Sequence, residues 1–140
     1  MYKRQVDYLP TKGKQLPGSP HTTLALGLDY DNGHILGNLA AKYTDKQYST
    51  FMNDESIGSF TRVDAMLGYR FDDIGFAKKP ELRLNLYNIF NSKALTGVSG
   101  IQSNAKATVG VNGNLIAASG TPSYYLGQGF SAIATFSTAF

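Results

Sequence analysis

The 140-residue sequence contains no cysteine and no tryptophan, and only 16% of its residues are charged. Without cysteine, the chain can form neither a disulfide-stapled fold nor a thiolate metal site. Its net charge of +3 is too small to indicate a nucleic-acid partner. It also lacks an apolar run near the roughly 20 residues that a transmembrane helix needs, and Met1 is followed by polar sequence rather than by a signal peptide. The length allows one domain or less.

Patterns for catalysis and metal binding are also missing. His21 and His34 are the only histidines and each stands alone, so the sequence predicts neither a metal site nor histidine-based catalysis. The adjacent acids at 53–55 and 72–73 lack the spacing of a calcium loop. The glycine-containing stretch 110–113 is typical of a turn, not of a phosphate-binding loop. We therefore expect a protein that is not an enzyme and has no catalytic residues, metal or cofactor.

What the chain has instead is period-two alternation, the pattern of half-buried β-strands. Leucines and a tyrosine alternate with small or polar residues along 22–30, and the pattern returns four more times, at 35–48, 60–71, 81–90 and 129–140. Residues 1–8 alternate weakly, as the tail of a strand would. The sequence therefore predicts an all-β fold, an antiparallel up-and-down meander of about five strands.

A tight turn is predicted between the first two strands, because Asn32-Gly33 is the pair most typical of a two-residue hairpin loop. Such a turn would place Leu26 opposite Leu39, so that apolar residues meet on one face and small or polar residues on the other. A slip of one residue would scramble both faces. The separation of apolar from polar residues on the two faces therefore supports the predicted hairpin.

The predicted connections alternate in length. Those at 31–33 and 72–80 are short or medium, whereas 49–59 and 91–123 are long, and a second Asn-Gly in the last one predicts a small hairpin over 108–116. A meander would place the short turns at one end of the sheet and the long loops at the other. Bacterial outer-membrane barrels have this arrangement, with short periplasmic turns and long extracellular loops.

Each predicted strand has its polar residues opposite the apolar stripe. In a soluble sandwich the polar face would meet water, whereas in a membrane barrel it would face the lumen and the stripe would face lipid. Aromatic residues favour the barrel, because they cluster near both ends of the strands as interfacial girdles do. The first cluster comprises Tyr30, Phe71 and Phe140, and the second comprises Tyr43, Phe90, Tyr124 and Tyr125.

Four segments, in order, resemble the last strands of TonB-dependent outer-membrane receptors. They are the strand entry Leu-Pro-Gly-Ser-Pro-His-Thr at 16–22, the strand Leu-Asn-Leu-Tyr-Asn-Ile-Phe-Asn at 84–91, the Tyr-rich approach to Gly-Gln-Gly at 127–129, and the terminal Phe140. The resemblance implies a barrel of about 22 strands filled by an N-terminal plug. Such receptors take up ferric siderophores, cobalamin, haem or glycans, and the TonB complex of the inner membrane powers the uptake.

The sequence departs from this family in having no plug, no TonB box and only about five strands, whereas about eight is the smallest usual number for closure. We therefore expect residues 1–140 to be a partial barrel domain, the C-terminal strands of a receptor in the outer membrane, in contact with lipid. TonB would act through the missing N-terminal part. The ligand is not specified, although a ferric siderophore is one candidate.

The resemblance also implies a C-terminal aromatic signal read by the barrel-assembly machinery. Here Phe136 and Phe140 would provide it, although Thr138 stands where the signature more often has an aromatic residue.

Inside a barrel, six charged residues would form a lumenal ion network that contacts the plug. They are Asp64, Lys42, Lys46, Arg62, Arg70 and Arg83. Folding back across the 49–59 loop would place Asp64 opposite Thr44, with the two lysines diagonally beside it. A solvated, charged sheet face is the alternative interpretation.

The sequence is also compatible with two other functions. One is an oligomeric autotransporter-type membrane anchor, although no heptad pattern precedes the strands. The other is a soluble secreted β-sandwich that acts as a binding module.

Overall fold

The computed structural model describes residues 6–140, so most of the weakly alternating segment 1–8 lies outside the described residues. The chain divides into two compact units. The sheet unit comprises Thr23–Thr44, Phe60–Lys93 and Gln128–Phe140. The loop unit comprises Met1–Thr22, Asp45–Ser59 and Ala94–Gly127.

The described residues contain β-strands and turns but no helix. The strands are β1 (Thr23–Asp31), β2 (Ile35–Thr44), β3 (Gln47–Tyr48), β4 (Ser56–Ile57), β5 (Phe60–Arg70), β6 (Lys78–Tyr87), β7 (Leu95–Gly100), β8 (Thr108–Val109), β9 (Leu115–Ile116), β10 (Ser123–Leu126) and β11 (Ser131–Ala139).

The sheet unit is a single five-stranded sheet in the order β1-β2-β5-β6-β11. Every neighbouring pair is antiparallel. The predicted all-β meander of five strands is therefore confirmed, and each of its strands overlaps one of the five alternating segments, although β6 begins three residues earlier than predicted. As predicted, the short β1–β2 and β5–β6 turns lie at one end of the sheet, and the long connections leave from the other.

The β1–β2 hairpin has the predicted faces but not the predicted turn. Asp31 pairs with Leu36, and Leu28 rather than Leu26 lies opposite Leu39. The turn lies one residue later than predicted: the Asn32 N–H donates to the Ile35 carbonyl at 3.2 Å, and Asn32 Oδ1 accepts hydrogen bonds from the backbone N–H of His34 (3.1 Å) and Ile35 (2.8 Å). The register is thereby shifted by two residues, which preserves the faces because side chains alternate with period two.

One apolar row crosses all five strands and shows how the faces are built. It runs through Leu28, Leu39, Ala65, Leu86 and Ala132, each directly opposite the next. Because residues directly opposite each other lie on the same face of a sheet, the apolar residues of the five strands share one face and the charged residues share the other.

The apolar face is exposed. Leu28 is 72% exposed, Leu67 is 57% exposed and Phe136 is 64% exposed. Among the described residues, the buried hydrophobic side chains are Leu36, Met52 and Ile57. A sheet that folds in water normally buries such a face against another layer, so this sheet lacks the usual source of stability in water.

The loop unit contains three small antiparallel pairs, β3 with β4, β7 with β10, and β8 with β9. The β8–β9 pair is the hairpin predicted over 108–116, with Val109 opposite Leu115 and Gly113 at a φ of +85°. The predicted strand 35–48 is interrupted, because β2 ends at Thr44 and Gln47–Tyr48 pairs with Ser56–Ile57 instead.

Replacing Asn32 with Ala should destabilise the protein by about 1 kcal/mol, the net worth of a lost hydrogen-bond acceptor. Asn32→Asp is the matched control, because its carboxylate keeps an acceptor oxygen at the same place. Urea unfolding would compare the two variants. Equal stability of both would contradict the assignment of the turn to this side chain.

Candidate functional sites

Five of the six residues predicted for the ion network lie on the polar face of the sheet. These are Lys42 of β2, Arg62, Asp64 and Arg70 of β5, and Arg83 of β6. Four of them, Arg62, Asp64, Arg70 and Arg83, form two groups of contacts instead of a single cluster.

The first group is centred on Asp64. Its Oδ1 accepts hydrogen bonds from Arg62 Nε at 2.9 Å and from the backbone N–H of Asn88 at 2.8 Å. Asp64 lies opposite Ala40, and Lys42 lies opposite Arg62. The predicted pairing of Asp64 with Thr44 was therefore wrong by four residues, because β2 leaves the sheet early and the chain folds back sooner.

Lys46 does not lie on the sheet. It belongs to the connection between β2 and β3 in the loop unit, and its ammonium lies 4.8 Å from the centre of the Tyr48 ring. The period-two pattern of the sequence continues past Thr44, but strand β2 ends there. Lys46 therefore has no register position on the sheet, where the prediction had placed it.

The second group is centred on Glu81, whose side chain is only 13% exposed. Its carboxylate accepts hydrogen bonds from Arg70 Nε at 3.3 Å and from Arg83 Nε. Arg70 also donates to the carbonyl of Gly33 at 3.2 Å and lies 3.8 Å from Asp31. The sequence did not predict contacts centred on Glu81, although its alternation placed Glu81 on the same face as Arg83.

Two asparagines of the segment 84–91, Asn88 and Asn91, lie at the end of the sheet from which the long connections leave, which we call the long-loop end. Asn88 and Asn91 both have positive φ, +51° and +49°, a conformation that asparagine tolerates better than most residues. The buried Asn88 side chain donates to the carbonyls of Ser92 (3.1 Å) and Gln128 (2.9 Å). Asn91 Oδ1 accepts from the backbone N–H of Phe130 at 3.1 Å.

The sequence pattern at 84–91 thus corresponds to a structural device. It ties the end of β6 to the start of β11 through Asn88 and Asn91, and to β5 through Asp64. Sequence alone indicated the motif but not the contacts, because they join residues far apart in the chain.

The two residues of the predicted C-terminal signal have different surroundings. Phe136 lies on the apolar face opposite Leu82. The Phe140 ring stacks on that of Phe76, with centroids 5.7 Å apart and planes at 15°. Both phenylalanines remain exposed.

The loop unit is organised around polar side chains, and Asp54 is the most connected of them. Its carboxylate accepts hydrogen bonds from the Thr50 hydroxyl (2.6 Å) and from the backbone N–H groups of Ala105 and Lys106 (3.0 Å each). Desolvation raises the pKa of Asp54, but these hydrogen bonds outweigh it and the net pKa lies below the usual value. Asp54 therefore joins the 45–59 loop to the 94–127 loop as a carboxylate.

Tyr124 makes a second link between these loops. Its hydroxyl contacts Ser49 Oγ at 3.2 Å and donates a hydrogen bond to the Glu55 carboxylate. Desolvation and the negative charge of Glu55 both raise the pKa of the Tyr124 phenol.

The β8–β9 hairpin is held by Asp7. The Asp7 carboxylate accepts from the backbone N–H groups of Asn112 (2.8 Å) and Asn114 (2.9 Å), and the Asn112 bond is the main reason that the pKa of Asp7 lies below its usual value. Gly110 is required beside it, because a Cβ there would lie 2.4 Å from the Asp7 carboxyl carbon.

Residues 6–140 contain no group of three or more His, Cys, Asp or Glu side chains able to hold a metal ion. The same part of the chain has no helix that is long and apolar enough to cross a membrane.

A family model described as TonB dependent receptor-like, beta-barrel, matches residues 2–89. This segment includes β1, β2, β5 and β6, four of the five strands of the sheet. No curated protein matches the chain.

Gly110→Ala should break the Asp7 contacts, because the added methyl group overlaps the carboxylate. The amides of Asn112 and Asn114 should then exchange hydrogen with solvent faster in NMR or mass spectrometry. Gly58→Ala is the control, since nothing lies within 4 Å of its new Cβ. Unchanged exchange in Gly110→Ala would contradict the role given to Asp7.

Lowering the pH should release the same hairpin. The folded state depresses the pKa of Asp7, so the stabilisation is present above the ordinary aspartate pKa and is lost as the pH falls through the depressed value. Exchange at Asn112 and Asn114, corrected for its intrinsic pH dependence, should accelerate below about pH 4. In Asp7→Asn this acceleration should be absent.

The phenol of Tyr124 should be among the last to ionise in an absorbance titration. Its raised pKa means that the folded state holds this proton more tightly, so its contribution to stability is present below about pH 10 and is lost as the pH rises through the raised value. Tyr124→Phe should remove the late component, whereas Tyr125→Phe should keep it. A late component that survives in Tyr124→Phe would contradict the assignment.

Proposed function

The chain belongs to the TonB-dependent receptor-like β-barrel family, and we propose that its sheet is part of the barrel wall of an outer-membrane receptor. The receptor would take up a scarce nutrient, such as a ferric siderophore, in a process powered by the TonB complex. The observation that carries this proposal is that one face of the sheet is apolar and exposed, whereas the opposite face is charged.

Lipid is the natural environment for the apolar face. Leaving a large apolar side chain in water instead of burying it costs about 1.5–3 kcal/mol, and one sheet face exposes Leu24, Leu26, Leu28, Leu67 and Phe136. A bilayer covers such residues on all strands at once. A soluble β-sandwich would cover them with a second sheet, but the sheet unit contains one sheet.

The polar face would line the barrel interior. The carboxylates of Asp64 and Glu81 are each paired with arginine, which suits a water-filled lumen or a contact with a polar plug. In the membrane core these charged side chains would be costly on the lipid side. We infer that Lys42, Arg62, Asp64, Arg70 and Arg83 face the interior.

The edge strands β1 and β11 are both open to pairing with further strands. Among the described residues, β1 pairs only with β2, and β11 pairs only with β6 within the sheet. Five strands are too few to close a barrel, and unpaired backbone groups are not tolerated in lipid. We therefore infer that residues 1–140 supply the C-terminal strands of a larger barrel, and that the plug and the TonB contact lie elsewhere in the receptor.

The loop unit would provide an outer surface for the ligand. Its loops leave the sheet at the end opposite the short turns, the extracellular end in this class of barrels. The β8–β9 hairpin exposes Val109, Val111 and Leu115, so its tip presents apolar contacts to solvent. Because Asp54, Tyr124 and Asp7 connect the loops, this surface is held in place before any ligand arrives.

Phe136 and Phe140 would serve as the signal recognised by the barrel-assembly machinery. Phe136 lies on β11 and Phe140 directly follows it, which supports this role because an edge strand can accept a strand of a partner.

The proposal can be tested at Asp64 in the whole receptor. Asp64→Asn keeps an acceptor for the Asn88 amide but loses the charge that pairs with Arg62, whereas Asp64→Ala loses both. We expect Asp64→Ala to lower stability by about 1–2 kcal/mol and both variants to reduce nutrient uptake or plug retention. Uptake of radiolabelled ligand and protease sensitivity of the plug would measure this.

The exposed turn residue Asp72 supplies the control, because Asp72→Ala removes an acid from the short-turn end of the sheet without touching Asp64. Wild-type uptake and plug protection in both Asp64 variants would refute a lumenal function for this carboxylate.

A further inference from the structure

The C-terminal phenylalanine is held by a residue from the β5–β6 turn. Phe76 lies in that turn, and its ring stacks on Phe140 with 5.7 Å between centroids and 15° between planes. The separation is within the range of favourable aromatic pairs. The two rings are 78% and 87% exposed, so they are not packed inside a core and mainly contact each other on one side.

The end of β11 is also shaped to bring Phe140 to this place. The regular pairing of β11 with β6 ends with Ser137 opposite Glu81 and then shifts, so that Ala139 lies opposite Lys78. One extra residue on β6 accounts for the shift, and Lys79 within this segment has a φ of +44°. Such bulges redirect the neighbouring side chains.

Thr138 gives this bulge a further contact. Its hydroxyl lies within hydrogen-bond distance of the carbonyls of Lys78 (3.4 Å) and Ala139 (3.2 Å). Thr138 therefore lies against the first residue of β6 at the place where the pairing shifts.

We propose that Phe76 is a positioning residue for Phe140, so that the two rings form one aromatic surface beside the unpaired edge of β11. This inference rests on the proposed function, in which Phe140 is part of the signal for the barrel-assembly machinery. The recognised unit is then a stacked pair of rings from two segments 64 positions apart in the sequence, rather than the chain end alone.

The physical reason is the cost of ordering an exposed side chain. An exposed phenylalanine is free to take several rotamers and loses that freedom when a partner binds it. A ring that already stacks on Phe76 has lost part of this freedom beforehand. Pre-organisation of this kind increases affinity without adding a contact to the partner.

The test is the rate at which the whole receptor is assembled into proteoliposomes that contain the purified assembly machinery. Folded barrel can be followed over time by its altered migration in unheated gels. Phe76→Ala should slow assembly about 2- to 10-fold, the range that the worth of an aromatic pair gives. Phe76→Tyr should restore the rate because it keeps the ring, whereas Phe76→Leu should not.

Ile74→Ala is the matched control, since Ile74 is an exposed apolar residue of the same turn. The decisive comparison is made in the Phe140→Ala background, where Phe76→Ala should slow assembly no further. Liposomes without the machinery provide the second readout: Phe76→Ala should fold there at the rate of wild type.

Three results would overturn the inference. They are a Phe76→Ala rate equal to that of Ile74→Ala, an added slowing by Phe76→Ala in the Phe140→Ala background, and an equal slowing without the machinery. Wild-type assembly of Phe140→Ala would instead refute the proposed role of Phe140 itself, and this inference would fall with it.

Discussion

The antiparallel hydrogen-bond ladder between five strands assigns every side chain of the sheet unit to one of two faces. Since each lies directly opposite the next, Leu28, Leu39 and Ala65 share a face with Leu86 and Ala132. The charged residues are thereby collected on the opposite face. The exposed apolar surface and the grouping of the paired carboxylates on one face both follow from this one arrangement.

The two ends of the sheet are stabilised in different ways. At the long-loop end, Asn88 and Asn91 join β6 to the start of β11 by side-chain hydrogen bonds, and Asp64 joins β5 to the same point. At the short-turn end, Asn32 shapes one connection and a pair of phenylalanine rings joins the other to the chain end. Polar contacts at both ends are suited to a sheet whose apolar face offers no packing within the sheet unit.

The sequence predicted the strands, their faces and the alternation of short and long connections, because each depends on local patterns of period two or on turn residues. Registers were predicted less well. The β1–β2 pairing is shifted by two residues because the turn lies one residue later than predicted, and the β2–β5 pairing by four because β2 ends at Thr44. An even shift leaves the faces unchanged, so the assignment of faces remained correct.

The contacts of the candidate sites were the part that local patterns could not provide. Asp54 with Ala105, Asp7 with Asn112, and Phe76 with Phe140 join residues at least 51 positions apart. Lys46 was predicted to lie on the sheet because the period-two pattern of the sequence continues past the end of β2. The long connection 91–123 was predicted to carry one hairpin, but β7 and β10 escaped prediction because their pairing contains two irregularities.

The assignment of the two faces is tested most directly by a cysteine scan along β5, in a receptor from which any cysteines outside residues 1–140 have been removed; residues 1–140 contain none. Single cysteines at positions 62–67 of the membrane-embedded receptor would be labelled with a fluorophore and exposed to lipid-borne and water-soluble quenchers. We predict that the lipid-borne quencher acts at Val63, Ala65 and Leu67, and the water-soluble one at Arg62, Asp64 and Met66. Quenching that fails to alternate, or that alternates in the opposite sense, would contradict the assignment of one face to lipid and the other to the lumen.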